Sequence, residues 1–89
     1  MSRLLFTIED TSSIEGRGIV LLPGLEPVGD EVFRAGDSVR ILRPDKTELD
    51  TVMHGIEFLT KRTESILVIV LPEDVTKEDV PVGSEVWST

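Results

Sequence analysis

The chain has 89 residues, no cysteine, three phenylalanines, one tryptophan and a net charge of −8 from 17 acidic against 9 basic side chains. That length suits one domain, residues 1–89, whose core must be aliphatic, because neither a disulfide framework nor a thiolate metal site can support it. The acidic balance excludes a broad basic face that would hold nucleic acid or an anionic membrane by charge, although a few placed groups can still recognise an RNA end or a peptide.

Taken in order, Arg3 to Asp10 alternates apolar and polar side chains and predicts a half-buried strand. Asp10, Thr11, Ser12 and Ser13 then predict a polar corner, since their short side chains hydrogen-bond nearby backbone. Gly16 and Gly18 flank Arg17, where a bulge or a close backbone approach is expected. Ile19 to Leu22 is a second strand, and Pro23-Gly24 marks a break or tight turn. The prolines and glycines of Leu25 to Asp37 argue against a helix and a central strand, leaving an edge segment with a loop.

Ser38 to Leu42 predicts a third strand, with Val39 and Ile41 on one face and Arg40 and Leu42 on the other, ending at the turn Arg43-Pro44-Asp45-Lys46. Thr47 to Thr60 reads as one long strand, with Leu49, Thr51 and Met53 alternating against Asp50, Val52 and His54 and a bulge at Gly55. Lys61 to Glu64 is a charged connector. Ile66 to Leu71 offers no polar side and predicts a strand buried on both faces. Thr76 to Asp79 is placed like a helical turn, with Thr76 three residues ahead of an acid, and Pro81 stops its extension. Ser84 to Ser88 closes the chain as a strand in which Val86 and Trp87 pack. Phe6, Phe33, Phe58 and Trp87 are the aromatic fillers.

No stretch addresses the chain to a membrane or to export: the longest apolar run, Ile66 to Leu71, falls far short of the roughly 20 residues that span a bilayer. A soluble, cytoplasmic protein is the expectation. The short strands divided by turn residues predict an all-β fold, a small closed or nearly closed antiparallel β-barrel of about six strands, since closure removes the free edges of so small a sheet.

Three pieces carry a resemblance: Phe6-Thr7-Ile8-Glu9-Asp10, then Ile14-Glu15-Gly16-Arg17-Gly18-Ile19-Val20, then Ala35-Gly36-Asp37-Ser38-Val39-Arg40-Ile41. With Thr51 to Phe58 and Asp79 to Val86 following in order, the chain resembles the second domain of translational GTPases such as elongation factor Tu. The resemblance implies a translation-protein β-barrel that works by contact, packing on a GTPase domain and, in aminoacyl-tRNA carriers, touching the charged acceptor end. It also implies four partner-binding residues: Glu9 and Asp10 at the first corner, Arg17 between the glycines, and Glu57 as the acid near the terminal nucleotide.

The departures are equally specific. The chain has no Gly-x-x-x-x-Gly-Lys-[Ser/Thr] loop, so it hydrolyses no GTP by itself. Ser12 stands where carriers have an aromatic, Thr60 where they have a basic residue and Leu67 where they have a small one, changes that remove or fill parts of the acceptor-end pocket. From the residues alone, Arg17 equally suits an ion pair within the chain, Glu57 a solvated strand position, and Glu9 and Asp10 turn acceptors. His54 has no nearby His or Cys companion and reads as a structural or surface residue, and Asp45, Glu48 and Asp50 read as a solvated turn without the spacing of a calcium loop. No nucleophile, base and orienting group occur together, so no catalytic residue, metal or cofactor is implied.

The expected function is a stand-alone, non-enzymatic binding module that docks a protein or ribonucleoprotein with basic patches, in a translation-related setting. Recognition of an RNA end through Arg17 and Glu57 is the alternative, and a metal-dependent or hydrolytic enzyme centred on His54 is the second.

Overall fold

The computed structural model describes residues 2–61 and 64–89, with backbone alone at residues 59–61 and 64–65. The described chain is all-β: β1 (Leu4–Thr7), β2 (Asp10–Ile14), β3 (Gly18–Leu25), β4 (Ser38–Leu42), β5 (Glu48–Val52), β6 (Gly55–Lys61), β7 (Glu64–Leu71) and β8 (Glu85–Ser88), with one turn of 3-10 helix at Lys77–Asp79. These strands form two antiparallel four-stranded sheets, ordered β1-β8-β4-β5 and β2-β3-β7-β6. The first and last strands pair, with Leu4 opposite Trp87 and Thr7 opposite Glu85. No described helix is long and apolar enough to cross a membrane.

Alternation along the strands sends one set of side chains from each sheet into a shared core. Phe6, Val86, Ile41 and Leu49 form a row across the first sheet. Thr11, Leu21, Ile69 and Ile56 form the matching row across the second. Phe6, Val86, Ile41, Leu21 and Ile69 join Ile8, Ile19, Met53 and Leu71 in the principal buried cluster, which is mainly aliphatic as the composition requires, and the half-buried Leu49 and Ile56 pack against it. Each such fully buried side chain contributes roughly 1.5–3 kcal/mol relative to exposure.

Two predicted strands are each cut in two, and the physical reason is the same. Ile8 is buried, Glu9 and Asp10 are both exposed, and Thr11 is buried again, so the inward phase slips by one residue and the chain changes sheets. Backbone bonds mark the crossing: the Ile8 N–H donates to Ser84 O in the first sheet at 2.8 Å, and the Glu9 N–H donates to Leu22 O in the second at 2.9 Å. The long run Thr47 to Thr60 divides likewise. Met53 N–H donates to Asp37 O at 2.8 Å and His54 N–H to Val70 O at 2.9 Å, so β5 and β6 belong to different sheets. The described residues thus form eight strands where about six were expected.

Other expectations need correction. Asp10 to Ser13 is a strand rather than a polar corner, because pairing with β3 from Asp10 opposite Leu22 to Ile14 opposite Gly18 satisfies its backbone. Pro23-Gly24 does not end β3: a register shift between Leu21 and Leu25 absorbs the proline, whose preceding peptide is cis. Residues 26–37 contain no edge strand and form a strap. Arg3 grips Glu31 there with two bonds of 2.7 Å, while the Val28 N–H donates to the same carboxylate at 2.8 Å. The Arg3 guanidinium and the Val28 N–H lower the Glu31 pKa from 4.5 to about 2.

The aromatic residues divide unevenly. Phe6 is buried and Phe33 packs on the core, but Phe58 is 74 % exposed, although it faces the same side as Leu67. Trp87 lies half-buried on the outward side, next to Leu4 and Arg40 in the ladder. The turn at Thr76 to Asp79 forms as predicted, with the Thr76 N–H donating to Asp79 Oδ2 at 2.9 Å.

Candidate functional site

The two glycines around Arg17 have different tasks. The Arg17 N–H donates to Ile14 O at 3.0 Å, closing a turn in which Gly16 takes φ +78° and Glu15 does not, the pattern of a type II turn. Space around Gly16 is open, so its role is conformational. Gly18 combines φ +134° with a close approach: a Cβ there would lie 1.9 Å from Leu71 O. The turn is thereby fixed against β7, and Arg17 leaves it from a defined point.

From that point Arg17 reaches Glu57 on β6. The Arg17 guanidinium donates to Glu57 Oε1 at 2.5 Å, joining residues 40 apart in sequence. Arg17 lies in the turn immediately before β3 and Glu57 on β6, so the pair crosses the intervening β7. Beneath that crossing, on the outward face, lies a second cluster of Val20, Val68 and Val70, flanked by Leu22 and Ile66. Val68 stands directly opposite Glu57, and Val70 stands between Val20 and Gly55. The strand predicted to be buried on both faces is therefore covered inside by the core and outside by this small apolar patch. The ion pair is itself open to water, with side-chain exposures of 59 % and 48 %. Pairs of that kind contribute about 0.2–1 kcal/mol.

The structure brings Arg17 and Glu57 together but does not join Glu9 and Asp10 to them. Asp10 is on β2, at the opposite edge of the sheet from β6, three strand spacings or roughly 14 Å away. Its Oδ1 accepts the Thr11 N–H at 2.8 Å, the local acceptor role anticipated for it. Glu9 is exposed at the crossing between the sheets. Ser12 is exposed on β2 opposite Val20, and Leu67 points into the core rather than into an outward pocket. The Thr60 side chain, with Arg62 and Thr63 of the predicted connector, lies outside the described residues.

His54 is exposed, and among the described residues no group of three His, Cys, Asp or Glu side chains could hold a metal ion. Asp45 occupies its predicted turn, where the Thr47 N–H and hydroxyl both donate to Oδ1. Glu48 and Asp50 belong to no turn. They project from β5 to Arg40, whose Nε is 2.7 Å from Asp50 and 3.2 Å from Glu48. This attraction lowers the Asp50 pKa and raises that of Arg40.

A second outward face therefore exists on the first sheet, and sequence reasoning passed over it as a site. The ladders set Leu4, Trp87, Arg40 and Asp50 in one row and Thr7, Glu85, Leu42 and Glu48 in the next. Its signal was present in the alternation of Val39 and Ile41 against Arg40 and Leu42. What the sequence lacked was the identity of the neighbouring strands.

Comparison with protein-family models, with curated proteins and with solved structures finds no match to this chain.

Proposed function

We propose that the chain is a non-catalytic binding module that docks a protein or ribonucleoprotein surface bearing basic patches, in a translation-related setting, through the outward face of the β2-β3-β7-β6 sheet. The observation that carries this reading is the Arg17–Glu57 pair, two residues that the one resemblance names together and that are held 2.5 Å apart on an exposed, apolar-floored face. A planar guanidinium and a free carboxylate oxygen can each exchange an internal partner for an external one at small cost, because the pair is solvated. The overall charge of −8 favours encounter with a basic surface.

In the same reading the two sheets work as one closed barrel of six bent strands. Support comes from the two crossings, where consecutive residues bond to different sheets, and from the pairing of β1 with β8. Counting β1 with β2, and β5 with β6, as single bent strands reduces eight to six.

Titration of the labelled protein with purified ribosomes, read by backbone amide signals, tests the proposal. Broadening at Arg17, Glu57, Val68 and Val70 that disappears in Arg17→Ala and Glu57→Ala is the expected result. No change, or change confined to the other sheet, overturns it. Parallel titration with charged and uncharged tRNA separates RNA-end recognition: a response at the same residues to charged tRNA alone replaces the protein-docking reading.

A further inference from the structure

The charges on the face of the first sheet are unevenly distributed. Three carboxylates, Glu48, Asp50 and Glu85, share it with one guanidinium, Arg40. Arg40 on β4 is drawn toward β5 by both Asp50 and Glu48, and hence away from β8 on its other side. Glu85 on β8 is left with the Trp87 indole as its side-chain partner, Nε1 donating to Oε1 at 3.1 Å, and among the described residues it has no cationic partner within salt-bridge distance. Beside it runs a groove of about 480 Å³ lined by Arg40, Leu42, Glu48 and Trp87, among others.

We infer that this groove is a second docking surface, separate from the Arg17–Glu57 face, and that its occupant is an extended, lysine- and arginine-rich segment of a partner protein. The complementarity is chemical at three points. A partner ammonium or guanidinium supplies the cation that Glu85 lacks. The same cation, or its neighbour, lies over the indole, whose face attracts positive charge within about 6 Å of the ring. The aliphatic stems of lysine or arginine cover Leu4 and Leu42 while their heads stay in water. An acidic segment would meet net repulsion from the three carboxylates.

The chain has one tryptophan and no tyrosine, so its intrinsic emission reports on this groove alone. Titration with hexalysine at low salt is expected to change Trp87 emission saturably, with hexaglutamate causing no change. Glu85→Gln, nearly isosteric and so compatible with folding, should weaken hexalysine about fivefold, the scale of one solvated ion pair. Physiological salt should weaken it further. Arg17→Ala, which leaves this sheet intact, should bind hexalysine as the parent does. A flat or unsaturable emission curve, unchanged affinity in Glu85→Gln, or equal loss in Arg17→Ala each overturns the inference. Because ribosome docking is read on the opposite sheet, either proposal can fail alone.

Discussion

The two outward faces solve one problem in different ways. Each belongs to a four-stranded sheet, and each carries an arginine bound to a carboxylate. Over β7 the arginine comes from a turn and crosses a floor of valines, so polar groups cap the outer side of an apolar strand whose inner side the core already covers. On the first sheet Arg40 rises from within a strand and bonds the directly opposite Asp50, and the aromatic beside it donates its indole N–H to Glu85. A cap drawn from a loop depends on the loop's backbone geometry. A cross-strand pair depends only on register.

That contrast is most sharply broken at Gly18. Replacement by alanine puts a methyl group into Leu71 O at a positive φ, and should cost about 3 kcal/mol or more, measured by urea unfolding. The same substitution at Gly16, where space is open, should cost less, and equal costs would refute the division of labour between the two glycines.

Next in size is Ser84, fully buried at the crossing below Ile8, whose Oγ has no hydrogen-bond partner among the described residues. Removing an unsatisfied buried hydroxyl should stabilise the protein by about 1 kcal/mol. Ser84→Ala is therefore expected to raise Tm by about 4–8 °C in calorimetry. A fall in Tm would mean the hydroxyl is satisfied in solution.

The strap beside the first sheet gives a pH test. Glu31 has a folded pKa depressed from 4.5 to about 2 by the Arg3 guanidinium and the Val28 N–H. Its stabilising contribution is thus fully present above the unfolded pKa and is lost as pH falls through about 2. Carboxyl carbon shifts should titrate near that value, and Arg3→Ala should return the midpoint toward 4.5. A midpoint near 4.5 in the parent protein would show that the grip does not hold in solution.

The smallest effect sharpens the comparison directly. Double-mutant cycles on Arg17 with Glu57 and on Arg40 with Asp50 should each give about 0.2–1 kcal/mol. The Arg40 pair should give more, because two donor nitrogens meet two carboxylate oxygens. The reverse order would mean that capping the valines strengthens the turn-borne pair beyond an ordinary surface contact.

Much of the fold was legible from local pattern. The strand Ser38 to Leu42, the doubly buried run to Leu71 and the capped turn at Thr76 each follow from side-chain phase or turn chemistry within a few residues. The crossings were hidden, because one slipped residue at Glu9 resembles a polar corner until the bonds to Leu22 and Ser84 are known. Likewise, Asp10 to Ser13 has turn-forming side chains, and only pairing with β3 makes it a strand. At the site, Arg17 and Glu57 were named from the sequence, but their meeting across β7 is a fact of strand order. Asp10 was named with them and lies at the other edge of the sheet.

The backbone at Ile8, Glu9, Met53 and His54 stitches both layers together within single dipeptides. Neither layer can slide or peel away without breaking hydrogen bonds in the other. Amide hydrogens at these four positions should accordingly exchange with deuterium only when the whole molecule opens, at the same rate on both sides of the seam.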